Sequence, residues 1–259
     1  MIGKKGVMLK TIDLSSTFND DPAQSFIFIF GAEGSSTTTL ALSIVDVIEN
    51  NKQVYILNTE PPHNETGIIM KHYANEHADG RFILPAKKGT DMAIPITSRS
   101  EYYMFRDKAL ADENIGAFVI DAIDTLRLML FGEFAKNIKF QMKAWMDADQ
   151  EIIKLFMMLL EKQIPVIVVL KEKEKTIVTQ TSEGVNVTKT GEIVPTLDNA
   201  RIQRWASIRL QTNEIGKYTV VKTKGAVDIN TKFEFKYDKT TGEKTGTWLS
   251  QLLAKMREN

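Results

Sequence analysis

Four short apolar runs recur along the chain: Ser25 to Phe30 (SFIFIF), Gln53 to Leu57 (QVYIL), Ala117 to Ile120 (AFVI) and Pro165 to Leu170 (PVIVVL). Each is rich in Val, Ile or Phe and nearly continuous rather than alternating, the pattern of strands buried on both faces. Helical patterning lies between them, at Thr38 to Asn50, Glu65 to His77, Ser100 to Ala111 and Ala144 to Lys162, with a weaker strand at Arg81 to Leu84. Strands alternating with helices predict an α/β protein whose central sheet is mostly parallel and flanked by helices.

Beyond Leu170 the pattern changes. TIVTQ and VNVTK read as hairpin strands around Ser182-Glu183-Gly184, within a polar, Thr-rich stretch. ASIRLQT, YTVVKTK and KFEFKYD then alternate at period two, as half-exposed antiparallel strands do, and TWLSQLLAKMREN closes as an amphipathic helix. The expected organisation is an N-terminal extension over 1–24, a core domain over 25–246 and a C-terminal helix over 247–259.

Composition narrows the chemistry. Thirty-three basic residues balance thirty-three acidic ones, so no global field draws the chain to nucleic acid or an anionic membrane, and any such binding needs a local patch. The absence of cysteine excludes disulfides, thiol catalysis and Cys-ligated zinc, and His63, His72 and His77 have no metal-site spacing. No apolar run reaches the length of a membrane span, and MIGKKGVMLK lacks the apolar centre of a signal peptide. A cytoplasmic, or otherwise intracellular, protein is the expectation.

Four segments carry candidate chemistry. GAEGSSTTTL, from Gly31, Ala32, Glu33, Gly34, Ser35 and Ser36 through Thr37, Thr38 and Thr39 to Leu40, joins the first strand to the first helix. It has the outline of the phosphate loop G-x-x-x-x-G-K-[ST], with Ser36 at the second glycine and Thr37 at the lysine. The alternative is a Ser/Thr cluster that caps a helix. Phe118-Val119-Ile120-Asp121 is an apolar strand ending in a carboxylate, suited to holding Mg²⁺ beside such a loop or to capping the next helix. Leu57-Asn58-Thr59-Glu60-Pro61 places Glu60 at a strand's carboxyl end, where it would polarise a water or remain a solvated loop acid. Tyr218 to Gly225 puts Lys222 and Lys224 on one strand face, either to meet phosphate or to protect an edge.

In this order the four segments resemble the RecA/RadA recombinase family, particularly its short, core-only phage and archaeal members. The similarity runs from about Ser25 to Gly242. It implies a RecA-like P-loop NTPase core with antiparallel strands on its C-terminal side, ATP and Mg²⁺ as cofactors, and assembly into a ring or filament. It further implies that Gly31 to Thr39 contact the nucleotide, Thr38 and Asp121 hold Mg²⁺, Glu60 is the catalytic carboxylate, and Lys222 and Lys224 act across a subunit interface. The family's phosphate-sensing position falls near Lys171. Its mobile DNA-binding loop falls on about Glu172 to Pro195, where Lys173, Lys175 and Lys189 can touch a phosphate backbone and no aromatic residue is present to stack on a base.

The departure from the family is a degenerate Walker A loop. Thr37 places no charge on the β and γ phosphate oxygens, and losing such a group costs on the order of 100- to 1000-fold in rate. The resulting expectation is a RecA-like protein with impaired or absent ATPase that binds single-stranded DNA in recombination, annealing or repair, without membrane association. Two alternatives stay open: an active DNA-dependent ATPase in which Lys171 or Lys222 replaces the missing lysine, and a RecA-fold regulatory or assembly protein that does not bind DNA.

Overall fold

The computed structural model describes residues 26–32, 34–60, 81–86, 94–136, 140–181, 184–197, 199–223, 227–238 and 243–257. The expected helix Glu65 to His77, the three histidines, the 1–24 extension, Glu33 and Lys224 lie outside them.

The parallel strands are β1 (Phe26–Gly31), β2 (Gln53–Asn58), β3 (Phe82–Ile83), β4 (Ile115–Asp121), β5 (Val166–Thr181) and β7 (Ile208–Glu214). β6 (Gly184–Pro195), β8 (Lys217–Lys222), β9 (Lys232–Tyr237) and β10 (Lys244–Gly246) pair antiparallel. Their order across the sheet is β10-β9-β8-β7-β1-β5-β4-β2-β3, with β6 paired to β5 off this path. The helices are α1 (Thr37–Leu42), α2 (Arg99–Ala111), α3 (Ile123–Ala135), α4 (Gln141–Glu161), α5 (Ala200–Gln203) and α6 (Leu249–Arg257). No helix among the described residues is long and apolar enough to cross a membrane.

The continuous apolar runs serve two cores. Successive strand side chains point to opposite faces, so Phe26, Phe28 and Phe30 of β1 join Val166, Val168 and Leu170 of β5 on the face covered by α2, α3 and α4. Phe156 of α4 lies against Phe26 and Phe28 there, with ring centroids 5.0 and 6.1 Å apart. Ile27, Ile29, Ile167 and Val169 face the other way, toward Leu40 of α1 and Leu249, Leu252 and Leu253 of α6. A strand with one wet face would show the alternation that these runs lack.

One local expectation needs correction. The first helix does not run from Thr38 to Asn50: α1 ends at Leu42 and a 3₁₀ turn follows over Ser43–Asp46. The Ser43 hydroxyl donates to the Leu40 carbonyl at 2.7 Å, and Thr and Val crowd this segment, which lowers its helical preference. The hairpin expected from TIVTQ and VNVTK is present and longer than those two segments: it pairs from Glu172↔Pro195 to Thr181↔Gly184, with a register shift between Glu174 and Thr176. Helix α3 is the helical stretch expected after Asp121, for which the sequence pattern set no bounds, because IDTLRLMLFGEFA is apolar nearly all round and gives little helical periodicity.

Candidate functional site

The carboxyl ends of β1 and β4, with β5 where its parallel pairing to β1 ends, open on a cavity of about 280 Å³ lined by Gly31, Ala32, Gly34, Thr37, Thr38, Glu60, Asp121, Ala122 and the segment 169–172. Ligands of parallel α/β sheets bind at this end of the strands.

The loop after β1 is fixed from within. Gly31 has no room for a side chain: a Cβ would stand 1.9 Å from Thr212 Oγ1 and 2.5 Å from the Thr212 carbonyl oxygen. Ser35 is buried, donates to the Ala32 carbonyl at 2.6 Å and shares a 2.7 Å hydrogen bond with Thr212 Oγ1. Ser36 precedes α1 at φ 70°, ψ 24°, the left-handed region where glycine is favoured, and its side chain makes no capping bond. The Ser/Thr cluster therefore does not cap the helix through Ser36. The backbone instead holds Ser36 in a conformation that glycine would adopt without strain. Ser36→Gly is expected to stabilise the chain by about 1 kcal/mol. Denaturant unfolding checks this, with an unchanged or lower midpoint as the contrary result.

Asp121 does not cap a helix either. The residue at that position of α3 is Ala122, and Asp121 Oδ2 accepts the Thr38 hydroxyl at 2.8 Å. Burial pushes the Asp121 carboxyl up to about 6; the Thr38 hydrogen bond and Lys171 oppose the rise, and Glu60 adds to it. Thr59 brings Glu60 alongside. Its N–H donates to the Asp121 carbonyl at 2.7 Å and its hydroxyl to the Ala122 carbonyl at 2.8 Å, joining the ends of β2 and β4. Glu60 then accepts the Thr125 hydroxyl and pairs with Lys171, whose Nζ is 3.1 Å from Oε1.

Lys171 follows Leu170 in β5 and lies in register with Gly31. Its N–H donates to Asp124 Oδ2 at 2.8 Å, and burial raises the Asp124 pKa. Asp124 and Thr125 are site residues that the sequence reading passed over. The available signal was a second Asp three residues after Asp121, in the first turn of the helix leaving β4.

Of the sequence candidates, the cavity brings together Gly31, Ala32, Gly34, Thr37, Thr38, Glu60 and Asp121. Ser35 and Ser36 shape the loop, while Thr39 is buried on α1 and is not among the lining residues. Lys222 also stands apart from the cavity lining, with its Nζ donating to the Ala206 carbonyl.

The donors suit a hard cation. Thr38 and Asp121 offer oxygen only, and among the described residues no cluster of three or more His, Asp or Glu side chains forms a cage. Mg²⁺ is commonly held by one or two protein oxygens, with substrate phosphates and water completing its shell. The charge balance makes the same point. Among the described residues, Lys171 is the one cationic lining residue against the carboxylates Glu60, Asp121 and Glu172, so an uncomplexed polyphosphate meets net repulsion there and its magnesium complex meets much less.

No protein-family model matches the sequence, and a search of curated proteins finds no match. Solved structures do match. A crystal structure of a KaiC-like protein from the hyperthermophilic archaeon Pyrococcus horikoshii aligns over 87% of this chain and 91% of its own, at a TM-score of 0.55 and 12% identity. The chain has a RecA-like α/β fold. At 12% identity the likeness extends to architecture; the chemistry of the cavity rests on its own residues.

Proposed function

We propose that this chain binds a magnesium–nucleoside triphosphate complex, ATP by its resemblance to the recombinases, and hydrolyses it slowly or not at all. The Thr38–Asp121 hydrogen bond of 2.8 Å carries the reading. It joins the loop after β1 to the end of β4 at the mouth of the cavity, where a cation bridging protein to phosphate would need its oxygens. Thr38 and Asp121 would hold Mg²⁺, which when bound neutralises phosphate charge. Thr37 gives the loop no cation, and Lys171 occupies Glu60, so neither phosphate-charge stabilisation from the loop nor a free carboxylate base is ready. Both deficits favour binding over turnover.

Self-association as a ring or filament belongs to this reading through the resemblance. A role for Lys222 at a subunit interface would require its Nζ to leave the Ala206 carbonyl.

Single-stranded DNA, in recombination, annealing or repair, is the partner the resemblance implies, and one observation favours it. β5 runs without interruption from the cavity, at Lys171, into the β5–β6 hairpin. Lys171 is followed directly by Glu172, the hairpin's first paired residue. The hairpin's charge is less favourable, because Lys173, Lys175 and Lys189 share 172–195 with Glu172, Glu174, Glu183 and Glu192. Lys175 pairs with Glu192 at 2.7 Å and Lys189 with Glu174 at 3.2 Å. Binding through these lysines is accordingly weak and salt-sensitive. Fluorescence anisotropy with a labelled oligothymidylate and Mg·ATP should show binding at about 50 mM salt that falls roughly 20-fold by about 200 mM, for three phosphate contacts. It should also weaken when the three lysines become glutamine. No binding at the lower salt would remove DNA and leave a nucleotide-dependent protein partner, which the hairpin's exposed Ile177, Val187 and Ile193 would suit.

A further inference from the structure

The geometry points to Lys171 as the phosphate-binding cation of this site, supplied by β5 in place of the lysine missing at Thr37. This inference rests on the proposal that the cavity takes a magnesium–nucleotide complex, and adds which side chain grips its phosphates.

Three observations converge on Lys171. It lines the same cavity as Thr37, Thr38 and Asp121, and its Cα is the register partner of Gly31 across the β1–β5 pair. Paired strands are about 5 Å apart, so a lysine side chain starting beside Gly31 spans the floor of the loop. The backbone of Lys171 is clamped on both sides: its N–H donates to Asp124 at 2.8 Å, and its carbonyl accepts the Thr196 N–H at 2.7 Å. The side chain is not clamped in the same way. It is 57% exposed, and among the described residues its Nζ is hydrogen-bonded to Glu60, at 3.1 and 3.3 Å from the two carboxylate oxygens.

An ammonium group has three donors and no fixed plane, so one group can serve a carboxylate and a phosphate oxygen together. The Glu60 pair then becomes a parking position. It holds the cation at the cavity wall and spares three nearby carboxylates from facing one another unscreened. Phosphate entry draws Nζ inward over the position that Thr37 leaves uncharged. Lys222, the other substitute weighed from sequence, is committed to the Ala206 carbonyl and is not among the lining residues.

The test is calorimetric titration of Mg·ATP into the full chain, Lys171→Met, Thr37→Lys and the double variant, each first shown by thermal melting to be folded. A charge-assisted contact predicts that Lys171→Met weakens binding on the order of 10- to 100-fold, and that adding Thr37→Lys to it restores most of the loss. Lys171→Arg, which keeps the charge, should retain binding better than Lys171→Met. Parent binding that Lys171→Met leaves within about twofold overturns the role of Lys171 and leaves the nucleotide site standing. No binding by the parent with clear binding by Thr37→Lys overturns the role of Lys171 and nucleotide binding by the parent chain together: the loop accepts phosphate only once it carries its own cation. No binding by any of the four chains overturns the inference together with the site on which it rests.

Discussion

Asp121→Asn is expected to make the chain more stable at pH 7 and to abolish magnesium-dependent nucleotide binding. The Asp121 carboxyl is buried, and burial with Glu60 nearby pushes its pKa up to about 6, against an ordinary value of 3.8. Between those two values the folded chain holds a proton that the unfolded chain has released, so stability falls as pH rises through about 6. A shift of about two units corresponds to a ceiling of about 3 kcal/mol, fully expressed above the folded-state pKa. Asparagine keeps an acceptor for the Thr38 hydroxyl and removes the buried charge. The gain should therefore be largest at pH 7 to 8, be small by about pH 4 and vanish below the ordinary value of 3.8, where both states of the parent carry the proton. Denaturant unfolding of both chains across this range measures it. An equal difference at pH 4 and pH 7, or a loss at pH 7, would show that the carboxylate is not held against its own burial.

Gly31→Ala is expected to destabilise the chain by about 3 kcal/mol, toward the upper end of what overpacking costs. The added methyl would meet Thr212 Oγ1 at 1.9 Å, the Thr212 carbonyl oxygen at 2.5 Å and Ser35 Oγ at 2.6 Å. A rotamer change could move the two hydroxyls, but the carbonyl belongs to β7, which pairs with β1 through Thr212 itself. Relief therefore requires the end of β1 to part from β7 or the Ser35–Thr212 hydrogen bond to break, and either displaces the loop that faces Thr38 and Asp121. Unfolding free energy and Mg·ATP affinity should fall together. An alanine variant as stable as the parent would mean that the β1–β7 contact yields more readily than its geometry implies.

Much of the architecture was legible from the chain because burial on two faces leaves a simple trace. SFIFIF, QVYIL, AFVI and PVIVVL each fall within or across an observed parallel strand, since every second residue serves a different core. The late antiparallel strands were legible through alternation, and β8 with its pattern of Tyr218 and Val220 buried shows the period directly. Helix α3 was legible only as a helical stretch after Asp121, without bounds, because contacts on several sides remove the polar stripe that marks an amphipathic helix. The 3₁₀ ending of α1 was hidden for another reason: Ser43 turns on a local hydrogen bond to Leu40 that hydrophobic spacing does not encode.

The site was legible in parts. Strand ends announced Asp121 and Glu60, and the loop outline announced Gly31 to Thr38, because each follows an apolar run at a fixed offset. Their relations were not visible. Thr59 as the tie between β2 and β4, the Glu60–Lys171 pair and the Asp124 bond to the Lys171 backbone join residues 47 to 111 positions apart. Such separations are set by strand order and register, and no local pattern reports them. The lysines of the hairpin illustrate the same gap, since the sequence shows their presence and only the pairing of β5 with β6 shows which glutamates answer them.

The central claim is that the cavity at the ends of β1 and β4, beside β5, takes nucleotide as its magnesium complex. Titrating ATP into the chain by calorimetry, once with Mg²⁺ and once with EDTA, tests it most directly. Binding with Mg²⁺ that weakens at least tenfold in EDTA is the predicted result, because one lysine faces three carboxylates across the lining. Binding undiminished in EDTA, or no heat with Mg²⁺ for both the parent and Thr37→Lys, would contradict it.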